Sequence, residues 1–252
     1  MATAVAVFCF LFLYAPAAAV AVFSLNQTKY GLAWKGFTWK WYVQLFRNQA
    51  VLEAAWNSFF TAGVSTAIAT ILGTALALGM DRFPWPKRLK RSMDLIIHLP
   101  VVTPDIILAA ALILTFSFFQ NLTGLLEMGR TTIVIGHVTF QISFVALVVR
   151  SRLAALGREI DEAARDLYAS GLHLFLRVTL PLIWPGILAG AMLAFTLSLD
   201  DFIISFFTHG PDSVTLPIYI YSSVRRGLSP EIHALSTLML LVTVVMVLIA
   251  ER

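Results

Sequence analysis

Six apolar runs, each about as long as the roughly 20 residues a helix needs to cross the hydrocarbon layer of a membrane, leave this chain few folds to choose from. They lie near Thr3–Phe23, Ala54–Met80, Leu95–Phe118, Thr132–Val149, Ile183–Phe207 and His233–Ala250. Backbone amides in lipid must find partners within the span, which for runs of this length means α-helices. No connection between the runs exceeds about 35 residues, too short for an ordinary soluble domain. Hydrophobic residues fill 59% of the 252 positions and charged residues 13%, with a mean hydropathy of +0.83, outside the range of soluble domains. The expected fold class is all-α, a polytopic membrane protein with six transmembrane helices forming one domain over residues 1–252. The first run has no basic leader and continues through Ala15-Pro16 to Phe23, so it is read as a retained span rather than a cleaved signal.

The loops set the orientation. Eleven of the 18 Lys and Arg fall in Asp81–Asp94, Arg150–Leu182 and the C-terminus, while the longer opposite set of segments holds seven. Basic density therefore marks the first set, and with it both termini, as cytoplasmic. The same loop placement explains the pI of about 9.4 by headgroup anchoring and topology, without a nucleic acid partner. In the outer segment Ser24–Glu53, Trp34, Phe37, Trp39, Trp41 and Tyr42 stand among Lys35 and Lys40. Such a mixture fits interfacial anchoring, and equally a contact surface or a substrate entrance. Cys9 is alone, so no disulfide framework exists.

The chain carries no catalytic set. No Lys follows a Gly, so there is no Gly-x-x-x-x-Gly-Lys phosphate loop; His-Glu-x-x-His and Cys-x-x-Cys are also absent. No catalytic residue, metal site or cofactor is expected in this chain. His98, His137, His173, His209 and His233 are scattered, as interfacial or hydrogen-bonded histidines are. Carboxylates within spans are more telling, because each costs roughly 2.5–3.5 kcal/mol at mid-helix and needs a reason to be there. Asp200 and Asp201 lie about 27 Å beyond Leu182 along an ideal helix, in the outer part of the fifth span. Adjacent residues point about 100° apart, which gives one of them, expected to be Asp200, to an internal path and the other to packing or an ion pair. Asp105 fits a pathway role and equally a helix restart, with Thr103 as N-cap and Pro104 at the first helical position. Pro100, Pro104, Pro185 and Gly186 mark irregular or kinked helices, and Gly186-x-x-x-Gly190 allows close helix approach.

Between the fourth and fifth runs, the cytoplasmic stretch Arg150–Leu182 holds a short amphipathic helix. Ile160, Ala163, Ala164, Leu167 and Tyr168 share one stripe, and Glu159, Asp161, Glu162, Arg165 and Asp166 the other face. Gly171 offers a helix stop. A helix of this kind between spans lays its stripe on the membrane surface or on a partner protein. Glu162-Ala163-Ala164, followed at the right distance by Val178 and Leu180-Pro181, resembles the cytoplasmic EAA loop of binding-protein-dependent ABC importer permeases. Tyr168 stands where that pattern has Gly, and Gly171 is expected to supply the turn instead.

Four further runs look like the second permease subunit of spermidine/putrescine importers: Lys35-Gly-Phe-Thr38 with Trp41-Tyr42, Thr103-Pro-Asp-Ile106, Phe195-Thr-Leu-Ser-Leu-Asp-Asp-Phe202 and Ser229-Pro-Glu-Ile-His-Ala-Leu235. The resemblance implies a MetI-like transmembrane domain of the bacterial cytoplasmic (inner) membrane. It implies as partners a homologous sister permease, a dimer of ATPase subunits that bind ATP and Mg, and an extracytoplasmic substrate-binding protein. Glu162, Ala163, Ala164, Tyr168, Gly171, Leu180 and Pro181 are then the ATPase-coupling loop, and Asp200, Asp201, Trp41 and Asp105 the substrate pathway. Acids beside aromatics suit a flexible polycation. The rival readings are an importer of another cationic or amino-acid-like substrate and a stand-alone ion-coupled secondary transporter.

Overall fold

The computed structural model describes residues 2–28, 33–157, 159–166, 168, 170–227 and 230–250. Among these, almost every stretch is helical, and the only β feature is an isolated antiparallel bridge between Asn26 and Phe37. The helices are α1 (Ala2–Phe23), α2 (Lys40–Leu45), α3 (Gln49–Arg82), α4 (Lys87–Val102), α5 (Asp105–Thr123), α6 (Arg130–Leu156), α7 (Glu159–Asp166), α8 (Gly171–Leu174), α9 (Leu180–Asp200), α10 (Ile203–Thr208), α11 (Leu216–Arg226) and α12 (Pro230–Ala250), with a π-turn at Phe175–Thr179 joining α8 to α9. Five stretches are long and apolar enough to cross a membrane: Val5–Phe23, Gln49–Arg82, Asp105–Thr123, Arg130–Leu156 and Gly171–Asp200; Pro230–Val245 is a shorter apolar helix.

Two of the expected spans are cut. The run from Leu95 to Phe118 breaks between α4 and α5, where Thr103 is extended at ψ 132° and Pro104 at ψ 134°. A proline pushes the residue before it out of the helical region and lacks an N–H of its own, and Asp105 then sits favourably in the first turn of α5. The restart is thus one residue later than read from sequence: Thr103 closes α4, and Pro104, not Thr103, occupies the N-cap position. Pro16, Pro100 and Pro185 remain inside helices. The run from Ile183 to Phe207 is likewise cut at Asp201, between α9 and α10.

The described chain groups into two compact units, Met1–Trp56 with Val214–Arg252, and Asn57–Ser213. In the first, α1, α2 and α11 pack against α12, around a core of Leu45, Val51, Ala54, Leu216 and Leu235. In the second, α6 is the central helix: its Val145, Ala146, Val149 and Leu153 join Ala77 and Met80 of α3, Ile97 of α4 and Ile183, Ile187 and Ala194 of α9 in one buried cluster. Its Phe140 meets Ala109, Leu112 and Phe116 of α5 and Ile204 of α10.

Small residues set these distances. A Cβ added at Gly73 would lie 2.8 Å from the Cβ of Val145, and one at Gly186 would lie 2.7 Å from the Cβ of Arg152. A Cβ at Gly136 would meet Ile204 Cγ2 at 2.9 Å. With lipid as apolar as the side chains, helices in a membrane associate by such close packing rather than by escape from water. The glycine pair read from the sequence thus lies on the face of α9 that meets α6. Replacing Gly186 by Leu forces α6 and α9 apart, an overpacking that costs about 1–3 kcal/mol. The detergent-solubilised protein is expected to melt several degrees lower, while Leu193→Ala, on an exposed face of α9, leaves the midpoint within about a degree.

Candidate functional site

Asp200 and Asp201 stand where α9 ends, and the end is made by Asp201 itself. It leaves the helix at ψ 121°, and its carboxylate turns forward to accept the backbone N–H of Ile204 at 3.3 Å and of Ser205 at 2.7 Å. A helix start in apolar surroundings leaves amide donors unmet, and this carboxylate meets two of them for α10. Asp201 is consequently 10% exposed in its side chain, whereas Asp200, the last residue of α9, is exposed.

The same carboxylate is held from the side by α6. His137, 1% exposed, places Nε2 3.1 Å from Asp201 Oδ2 and 3.0 Å from Ser205 Oγ, and Nδ1 2.6 Å from Ser198 Oγ. Ser198 Oγ lies 3.4 Å from Ser65 Oγ on α3. A carboxylate acceptor requires the proton on Nε2, so in the neutral ring Nδ1 accepts from Ser198, and Ser65 can in turn donate to Ser198. One turn along α6, Gln141 is fully buried and donates to the carbonyl of Ala194 at 2.8 Å. At the other end of α10, Thr132 Oγ1 donates to the carbonyl of Thr208 at 2.7 Å. Phe202 and Phe206 lie beside the break with ring centroids 5.3 Å apart and planes tilted by 34°.

Asp105 is exposed at the first position of α5. Trp41 lies in the other unit and is 7% exposed, donating its indole N–H to the carbonyl of Asn26 at 2.7 Å. Asn26 also accepts from the Lys35 N–H at 3.0 Å and donates to the Ala33 carbonyl at 2.9 Å. The indole therefore anchors the segment between α1 and α3, and the exposed rings among its described residues are Trp34, Phe37, Trp39 and Phe46.

In the stretch between α6 and α9, α7 presents Glu162 and Ala163 to solvent and half buries Ala164. Three of the sequence expectations change here. Tyr168 does not complete the apolar stripe: the helix stops at Asp166, and Tyr168 is 97% exposed with φ +60°. Gly171 does not stop a helix but opens α8, where Ser170 Oγ accepts the His173 N–H at 3.4 Å. The turn is made by Tyr168, in a left-handed conformation that glycine adopts at no cost and a tyrosine does not. Asp161, Arg165 and Leu167, also read onto this helix, fall outside the side chains described.

Leu180-Pro181 has a local physical meaning as well. Pro181 offers no N–H to the carbonyl four residues back and its ring collides with it. The helix accommodates this by widening over Phe175–Thr179, where the Leu180 N–H reaches the Phe175 carbonyl, five residues away. Pro181 then sits in the first turn of α9, and Leu180 packs on the buried cluster around α6.

His137 is the site residue that reading for catalytic motifs overlooked. A signal was present, because His137 and Gln141 place two large polar side chains four residues apart on one face of an apolar run.

Membrane-length helices, one of them broken at a capped carboxylate, together with an exposed amphipathic segment between spans, define a multi-pass helical membrane protein of the transport class. The chain belongs to the binding-protein-dependent transport system inner membrane component family, whose model matches residues 69–252. It is 41% identical over 222 residues to the putrescine transport system permease protein PotI of Escherichia coli K12, covering 88% of this chain and 79% of that protein. It is 36% identical over 228 residues to the spermidine/putrescine transport system permease protein PotC of the same strain, covering 90% and 84%. In fold it is similar to a bacterial ABC transporter that imports the acidic polysaccharide alginate, with a TM-score of 0.76 at 18% identity over 98% of this chain and 91% of that one. The MetNI methionine ABC transporter matches with a TM-score of 0.64 at 18% identity, over 86% and 97%.

The two aspartates should separate cleanly in stability. Asp201→Ala leaves a buried imidazole and two amide donors unmet and is expected to cost about 3 kcal/mol. Asp200→Ala, at an exposed position, should stay within about 0.5 kcal/mol. Thermal melting of the two variants in detergent measures the difference.

Proposed function

We propose that this chain is a permease subunit of an ATP-driven importer that carries polyamines inward across the bacterial cytoplasmic membrane by alternating access. The observation that carries the reading is the exposed carboxylate of Asp200, offered at a helix break beside Phe202 and Phe206, in a chain so similar to putrescine and spermidine/putrescine permeases. A carboxylate at the end of a span pairs with an ammonium group, and aromatic faces attract the remaining cationic charge. An anionic substrate would be repelled there. Asp105, exposed at the restart of α5, supplies a second carboxylate, and Trp41 acts through the shape of the outer segment rather than by contact.

The chain works with a homologous sister permease, two ATPase subunits that bind ATP and Mg, and an extracytoplasmic binding protein. Its termini lie in the cytoplasm, as the basic loops favour. Glu162 and Ala163 on α7 and the projecting Tyr168 form the surface that docks on the ATPase. The continuous helix from Gly171 to Asp200 then connects that surface to the broken end of α9, so that closing of the ATPase dimer reaches the substrate carboxylate through one rigid element.

Removing the charge of Asp200 while keeping its shape tests the substrate reading. Asp200→Asn is expected to raise the KM for putrescine uptake about tenfold, the worth of one hydrogen bond to a charged group. Uptake of labelled putrescine by cells relying on this transporter measures it, and an unchanged KM sinks the reading. For the docking surface, Glu162→Lys should leave the membrane subunits assembled but make ATP hydrolysis independent of substrate. Substrate-stimulated hydrolysis at the normal level in reconstituted vesicles would reduce this loop to a linker.

A further inference from the structure

The break at Asp201 poses a problem that its own sequence does not solve. Asp200 and Asp201 are adjacent, and either carboxylate is of the right chemistry to cap α10. If the helix ended one residue earlier, Asp200 would turn inward to the amide donors, and the side chains near the break would rotate by about 100°. Two registers of this kind differ little in local energy, because each satisfies two amide donors at the start of α10 with the same group. Something outside the α9–α10 segment must choose between them.

We propose that His137 makes this choice: by holding Asp201 from α6, it is the positioning residue that leaves Asp200, and not Asp201, facing the pathway. Its Nε2 lies 3.1 Å from Asp201 Oδ2. The ring is fixed in turn by Ser198 at 2.6 Å on its other nitrogen. Ser198 belongs to α9 itself, so His137 grips the segment on both sides of the break, one turn before it and at the cap. Sliding the break by one residue leaves Ser198 in its place on α9 and the ring still held, but carries Asp201 off the imidazole. Gly136, beside His137, lets Ile204 of α10 approach α6 so closely that a Cβ there would stand 2.9 Å from Ile204 Cγ2, which fixes the distance over which the imidazole must reach. A single buried polar residue that selects one register among near-equals is the best-attested role of such groups in helical proteins.

The inference rests on the reading of Asp200 as a substrate carboxylate, but its test does not. Cys9 is the chain's only cysteine, so a Cys9→Ser, Phe206→Cys chain in the assembled transporter keeps both aspartates and carries one thiol on the exposed side of α10, which a slid break would turn away, and labelling by a small cationic methanethiosulfonate is read on this chain by mass spectrometry. With His137 present the thiol should label fast. His137→Ala should slow labelling roughly fivefold to tenfold, the weight of one hydrogen bond to a charged group. His137→Gln, which keeps a donor for Asp201, should restore the rate to within about twofold. Ser198→Ala, which keeps the imidazole but frees it to turn, should fall between, and serves if His137→Ala does not reach the membrane. Equal labelling in all variants, or a loss in His137→Gln as large as in His137→Ala, overturns the positioning role. With Asp200 in place, His137→Ala should also raise the KM for putrescine. A changed labelling rate with an unchanged KM keeps the positioning role and removes the polyamine reading instead.

Discussion

A polypeptide inside a bilayer has to satisfy its own backbone, because lipid offers amide groups nothing, and every departure from a continuous helix in this chain is built around that constraint. The break after α9 is closed by a carboxylate accepting the N–H groups of Ile204 and Ser205. The end of α10 is closed by the hydroxyl of Thr132, given to the Thr208 carbonyl, and the turn beyond it by Ser213, which accepts the Gly210 N–H at 2.7 Å. Before α9, the proline of Leu180-Pro181 is absorbed by a π-turn rather than by a gap in the ladder. Around α10 a named side chain takes over the backbone's hydrogen bonds at each irregularity, whereas the break at Thr103-Pro104 has no side-chain cap and spares a donor through the proline itself.

Because the Asp201 carboxylate and the Thr208 carbonyl are both held by α6, through His137 and Thr132, the end of α9 is as rigid as the packing that brings α6 to it. That packing depends on glycine. Gly73, Gly136 and Gly186 each stand where a Cβ would come within 3 Å of a neighbouring side chain, and they bring α3, α9 and α10 onto α6. His137 and Gln141 then sit at the centre of the second unit with buried partners on α9 and α10. Stability and the presentation of a charged group thus have one source, a central helix approached from several sides at close range.

The stretch between α6 and α9 follows a different logic. Tyr168 is almost wholly exposed and sits in a backbone conformation that suits glycine, and nothing within the described chain compensates for either. Strain of this sort persists where the surroundings over-determine a residue's conformation, and it clusters at surfaces that do more than fold.

Much of the molecule was decided by sequence alone. Runs of about 20 apolar residues admit only helices in lipid, and Glu162-Ala163-Ala164 with Leu180-Pro181 locates the exposed segment between α6 and α9. These features are local: each follows from the length or pattern of one stretch, without knowledge of what lies across from it. The pairing of side chains across helices was not legible in that way. Asp201 ends a helix inside a run that reads as continuous, Tyr168 leaves the stripe it appears in sequence to complete, and Trp41 is turned inward as an anchor. Which of two adjacent aspartates is buried depends on a histidine 64 residues away in sequence, and a hydrogen bond of that span is fixed only when the glycines of the bundle bring α6 against α9 and α10.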